Sequence, residues 1–258
     1  MHTEGGLMKV IFHDNFYREY TSDPAAEPGR MEAIVAAIQN KVDFITAEPA
    51  TLEQLRAAHS IDHIETVQLE RLYDIAALAA GGAIQACRFG LTEPAFALIR
   101  PPGHHASRSS CWGFCYFNNM SVALTALKNE GLIQTAFVLD FDLHNGDGTI
   151  NILGHTDWVR ILNPVTRTRE GYIKEVEETL SGLKVDIIGI SAGFDHHVDD
   201  WGGLLETQDY ETMGRMVRDT AQACSGGCFA ILEGGYNHSV LGKNVLALLR
   251  GLEPGLNS

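Results

Sequence analysis

The stretch RPPGHHA, positions 100–106, sets two adjacent imidazoles, His104 and His105, behind a Pro-Pro-Gly corner. Imidazole exchanges protons near neutral pH, and the two prolines stiffen the turn that carries it. Further along, DFDLH spaces Asp140, Asp142 and His144 at period two. In extended backbone these three point to one side, while Phe141 and Leu143 point to the other. Polar groups converging from an apolar run are costly unless something satisfies them, and a metal ion does so. Asp195, closing SAGFD, offers a further carboxylate. Tyr236, in LEGGYN, offers a phenol able to donate to a developing oxyanion. Taken singly, each motif also fits an ordinary polar loop, and Asp195 fits a helix N-cap. Four such strand ends in one chain read as a built site. Two carboxylates and one imidazole suit Zn2+, and the same set accepts Fe2+, Co2+ or Mn2+, because ligand type alone does not choose the ion. An open position on zinc lowers the pKa of water toward about 7, and the histidine pair supplies a base for it.

Such residues need a scaffold that gathers strand ends. Apolar runs at 9–13, 43–47, 95–100, 135–141, 158–162, 185–193 and 228–234 read as strands. Several lack polar alternation, as strands covered on both faces do. Helical periodicity fills about 30–40, 51–57, 61–87, 118–129, 171–183, 207–224 and 239–250. This alternation predicts an α/β fold, an open, mostly parallel sheet between helices, whose ligands bind beyond the carboxyl ends of the strands.

The bulk properties narrow the function. No linker divides the 258 residues, which read as a single domain over 1–258, and 45% hydrophobic residues suffice for a sizeable core. Lys+Arg of 19 against Asp+Glu of 33 gives net −14, which argues against nucleic acid and anionic membranes and is compatible with a cationic substrate. No apolar run has transmembrane length. The opening MHTEGGLMKV lacks a signal-peptide pattern, residues 1–7 read as a non-native or disordered leader, and Met8 reads as an alternative start. Five cysteines without a CxxC suggest free thiols in a reducing cytoplasm. A four-thiolate zinc site from Cys111, Cys115, Cys224 and Cys228 would need looser spacing than zinc ribbons show, and the last two flank a helix-to-strand turn.

RPPGHHA (100–106), GFCYFNN (113–119), DFDLHNGDGT (140–149), SAGFD (191–195) and LEGGYN (232–237) together resemble, in order, the zinc-dependent histone deacetylase and acetylpolyamine amidohydrolase superfamily. The resemblance implies the arginase-deacetylase fold in a short prokaryotic-type member with shortened loops. It implies Asp142, His144 and Asp195 as zinc ligands and His105 as general base. His104 becomes the companion imidazole partnered by Asp140, and Asp147 backs His105. Tyr236 polarises the scissile carbonyl, Gly113 and Phe114 line the acyl slot, and K+ lies near Asp140, Asp142 and His144. The implied reaction is amide hydrolysis by water: His105 takes a proton, one of the two histidines protonates the departing amine, and the substrate is an acylated amine, acetyl-lysine or acetylpolyamine.

The sequence departs from the pattern in several places. Asn145 stands where relatives often carry a second histidine, and DDWGG replaces a common Pro-Leu-Gly-Gly ending. The second aromatic wall of the slot would fall near ILNPVTRT (161–168), which has no aromatic. These trims predict a shallower, more open site, accepting varied acyl-amines or completed by a homo-oligomer, with Trp112 and Trp201 as candidate rim residues. A two-manganese ureohydrolase would need further Asp and His ligands. A non-catalytic binder of metal or acyl-amines would not need the base.

Overall fold

The computed structural model describes residues 7–257. Residues 1–6, on which most of the expected leader falls, lie outside the described residues. Seven strands form one parallel sheet: β1 (Lys9–Phe12), β2 (Asp43–Thr46), β3 (Ala95–Ala97), β4 (Ala136–Asp140), β5 (Val159–Leu162), β6 (Ile187–Ala192) and β7 (Gly227–Leu232), in the order β2-β1-β3-β7-β6-β4-β5. The expected mostly parallel sheet is parallel throughout. β3, β4 and β6 are buried along their whole length, which is why their sequences carry no polar alternation.

The helices are α1 (Arg30–Ile38), α2 (Leu52–Ala58), α3 (Ile61–Leu69), α4 (Tyr73–Phe89), α5 (Asn119–Asn129), α6 (Asp147–Leu153), α7 (Arg169–Leu180), α8 (Thr207–Ala223) and α9 (His238–Leu252). Parallel connections are right-handed, so crossovers running in opposite directions along the sheet put their helices on opposite faces. The packing agrees: α4 lies against β1, β3 and β7 and beside α5, whereas α8 lies against β6 and β7 and beside α9, which in turn packs on α1. No helix among the described residues is long and apolar enough to cross a membrane.

Two helical expectations need correction. The segment 61–87 is two helices, because the chain turns at Glu70–Leu72, where Arg71 adopts φ 62°. The other is an omission: no helical pattern is read between 129 and 171, yet α6 begins at Asp147.

The sheet order makes β3, β7, β6 and β4 four neighbours at its centre. RPPGHHA follows β3, EGGY follows β7, GFD follows β6 and FDLH follows β4, so all four polar motifs leave the same end of adjacent strands. α4 supports this centre closely. A side chain at Gly81 would strike backbone of Glu48–Ala50, and Ala50 N–H donates to Ala77 O at 2.8 Å across the same contact. Gly81→Ala should therefore destabilise the fold by about 1–3 kcal/mol through overpacking, read from the urea midpoint. An unchanged midpoint would mean that the α4 contact is not tight.

Candidate active site

Each motif is held by a bond from behind. Asn119 Nδ2 donates to Pro101 O at 3.0 Å, and the Glu233 carboxylate accepts from Gly103 N at 2.7 Å and His104 N at 3.2 Å. These bonds fix the Pro-Pro-Gly corner from the α5 and β7 sides. Asn118 caps α5 and also donates to Ala106 O. Arg30, fully buried, donates to Gly235 O at 2.8 Å and Glu233 O at 2.6 Å, and its guanidinium lies 5.5 Å from the Tyr236 ring centre. Asp200 accepts from the backbone N–H of Tyr236 and of Asn237, both at 2.8 Å. Glu233 and Asp200 were not singled out by the sequence motifs, although both sit inside quoted stretches.

The histidines have different partners, as expected. His104 Nδ1 lies 3.1 Å from Asp140 Oδ2, and His105 Nδ1 lies 2.7 Å from Asp147 Oδ1. Carboxylates accept only, so both Nδ1 atoms carry hydrogen. Burial opposes a charge on His104, but Asp142 and Asp140 outweigh it and hold its pKa well above the usual imidazole range. Burial and the neighbouring His104 push His105 down to about 4, against the pull of Asp147. His105 is therefore neutral at pH 7 with its Nε2 unprotonated, while His104 is charged in the ion-free site.

Asp142, His144 and Asp195 bring one ligand atom each to within 4.8 Å of one another. Asp195 is not a helix N-cap: Oδ1 accepts from Leu143 N at 3.0 Å, and Oδ2 is buried without a hydrogen-bond partner, 3.2 Å from His144 Nδ1. The neighbouring Asp142 and Asp195 carboxylates, the first accepting from its Nδ1, raise His144 to about 10. Burial, reinforced by the Asp142 charge, raises Asp195 to about 6. Two buried carboxylates, one with an uncommitted oxygen, beside an imidazole are a donor set that fits a divalent cation. A second trio, His104, Cys115 and Glu233, is equally close but fully buried. Its Glu233 oxygens are already taken by Gly103, His104 and Ser191, which leaves the two-metal reading without a second set of free ligands among the described residues. Among the described residues no four-cysteine cluster forms.

A slot of about 110 Å3 opens beside this trio, lined by Pro102, His104, His105, Trp112, Gly113, Phe114, His144, Trp201, Gly234 and Tyr236. Gly113 and Phe114 have φ of 60° and 66°. A non-glycine residue in that region costs about 1–2 kcal/mol, and a side chain at Gly113 would strike the His105 ring. Phe114 meets the Tyr236 ring edge-on at 6.1 Å. The aromatic missing from 161–168 is supplied by another loop. Trp201 stacks on Tyr236 at 4.0 Å and stands edge-on to His144 at 6.2 Å. The open site expected from the trimmed loops is thus a narrow slot with two tryptophans at its rim, each about half exposed. Every site residue named from the sequence lines this slot or contacts a residue that does.

The fold and site define a class: a parallel α/β protein whose central strand ends present two carboxylates and an imidazole, a candidate cation site, beside a histidine pair. The histone deacetylase domain model matches residues 25–172 and 167–252, and the chain belongs to that family of hydrolases. It is 28% identical to a probable deacetylase of Methanothermobacter thermautotrophicus, over 95% of this chain and 90% of that protein. It is 29% identical to a probable deacetylase of Archaeoglobus fulgidus, over 88% and 81%. A histone deacetylase-like amidohydrolase of Pseudomonas aeruginosa is 26% identical, over 84% and 72%. The crystal structure of the HDA15 HD domain superposes with a TM-score of 0.83 at 25% identity, covering 98% of this chain and 90% of that one.

Because His144 is held protonated up to about 10 and must be neutral to ligate, a cation entering the trio at pH 7 should release about one proton, and its affinity should rise with pH. Calorimetric titration of Zn2+ in buffers of different ionisation enthalpy measures this. Binding with no proton release would remove His144 from the ligand set. Asp195→Ala should abolish stoichiometric binding altogether, and retained metal would exclude Asp195.

Proposed function

We propose that the chain is a single-domain, zinc-dependent amidohydrolase over residues 1–258. It removes an acetyl or other short acyl group from an amine, most simply acetyl-lysine. The observation that carries this reading is the uncommitted Asp195 oxygen in the Asp142–His144–Asp195 trio, within a slot that also holds His105 and Tyr236. A divalent ion on those three residues, Zn2+ with Fe2+ or Co2+ as substitutes, supplies Lewis acidity toward water and the amide carbonyl.

The protein's own groups do the rest. His105 donates Nδ1–H to Asp147 and offers Nε2 as acceptor for the proton lost by the attacking water. Burial first, and then the Asp142 charge, hold the Tyr236 phenol above its ordinary pKa. The phenol thus stays a hydrogen-bond donor, aimed at the oxygen on which negative charge grows. His104 is tied to Asp140, which fixes its ring beside His105. The departing amine takes its proton from one of the two histidines, leaving acetate and a free amine. Gly113 gives the acyl group access along the backbone, and Phe114 and Trp201 flank the Tyr236 ring. Net −14 disfavours nucleic acid as a partner and leaves both acetyl-lysine and acetylpolyamine as acylated-amine substrates.

Tyr236→Phe should lower kcat by about 10²–10³ while metal content stays at one per chain. Metal loss in this variant would make Tyr236 structural. The substrate class is tested on one metal-quantified sample with acetyl-lysine peptides, acetylated polyamines and longer acyl-lysines. A zinc-loaded protein that turns over none of them is a binder, not an enzyme.

A further inference from the structure

We propose that Trp112 is a positioning residue that holds the His105–Asp147 pair in working alignment, an inference that rests on the reading of His105 as the base. One indole touches both partners. Its ring lies on the His105 imidazole with centroids 3.8 Å apart and planes 29° apart. Its Nε1–H donates to Asp147 Oδ2 at 2.9 Å, while Asp147 Oδ1 accepts from His105 Nδ1 at 2.7 Å. The three side chains therefore close a ring of contacts in which each is fixed by the other two.

The arrangement answers a weakness of the pair. The Asp147 side chain is 47% exposed, so water competes with His105 Nδ1–H for its carboxylate oxygens. The indole N–H occupies one carboxylate oxygen and leaves the other directed at Nδ1. That fixes the imidazole tautomer and turns Nε2 toward the slot. The stacked ring covers the outer face of His105, which is only 3% exposed. Burial does not account for the placement, because Trp112 itself is 54% exposed. The backbone immediately after it does: Gly113 and Phe114 both take left-handed conformations, and only a residue without a side chain fits at 113 against the His105 ring. Phe114, a non-glycine residue held in the left-handed region next to a reactive group, carries the kind of strain that clusters at functional sites.

Trp112→Phe keeps a ring for stacking and removes the donor, whereas Trp112→Leu removes both. The Phe variant should lose about tenfold in kcat, with KM within about twofold of wild type and metal content unchanged. The Leu variant should lose more. Trp112→Phe added to Asp147→Ala should be no slower than Asp147→Ala alone, because the donor then has nothing to hold. A readout independent of turnover is the indole 1H–15N resonance of Trp112, identified among three tryptophans by its loss in Trp112→Phe. It should exchange slowly with solvent and shift on Asp147→Ala. Wild-type kcat in the Phe variant, additive losses in the double variant, or an indole resonance indifferent to Asp147→Ala would overturn the proposal. Wild-type protein that hydrolyses no acyl-amine would instead defeat the reading of His105, with the resonance still deciding whether the clamp exists.

Discussion

Buried negative charge is the constraint on which the rest of this structure depends. Asp140, Asp142, Asp195 and Glu233 are each at most 7% exposed, and they meet at the ends of three adjacent strands. Carboxylates packed this closely without compensation raise one another's pKa or force the fold apart. The neighbours divide the work of compensation. Glu233 takes backbone N–H groups and a serine hydroxyl, Asp140 takes His104, and Asp142 takes N–H groups from His144 and Gly234. What is left over is one oxygen of Asp195, and it faces His144. The cation trio is the part of a larger electrostatic problem that side chains alone do not finish.

A parallel sheet suits that arrangement. All strands deliver their carboxyl ends to one rim, and covering both faces with helices keeps the rim in a low-dielectric surround where each charge acts strongly. Two fully buried arginines complete the frame. Arg30 and Arg100 bind main-chain carbonyls rather than carboxylates: Arg30 reaches the β7 end, and Arg100 reaches Arg18, Ala25 and Glu27. They fasten the N-terminal segment to the site and add positive potential beneath it without consuming any of the acidic groups.

Much of this was legible in the sequence, for a physical reason. A strand end that turns polar, with residues at period two or with glycines, marks both where the backbone leaves the sheet and which side chains meet there. Asp140, Asp142, His144, Asp195 and the histidine pair therefore carried their own positions, and the fold brings Asp142, His144 and Asp195 together. The remainder depends on contacts that loops make across the fold. Trp112 and Asp147 are 35 residues apart, and Arg30 and Gly235 are 205 apart. No periodicity encodes such pairings. The aromatic wall was sought after β5 because the resemblance put it there, yet the stacking ring comes from the loop after β6. The break between α3 and α4 carries neither glycine nor proline, since Arg71 itself takes the left-handed turn. The seven-residue α6 is too short and too polar for its periodicity to stand out.

The loop that begins at Asp195 joins several jobs in the eight residues up to Gly202. Asp195 presents the uncommitted oxygen, Asp200 fastens the backbone of Tyr236, and Trp201 stacks on its ring. Gly202 N–H then donates to Asp195 O at 2.7 Å and closes the loop on itself. A closed loop of this kind has one permitted length. Adding or deleting a residue would move the ligand, the phenol and the wall together, whereas exchanging the side chain at 201 alters the wall and leaves the main-chain bonds intact. Position 201 is thereby the place where the wall of the slot can change while the main-chain bonds that hold Asp195 and Tyr236 stay as they are.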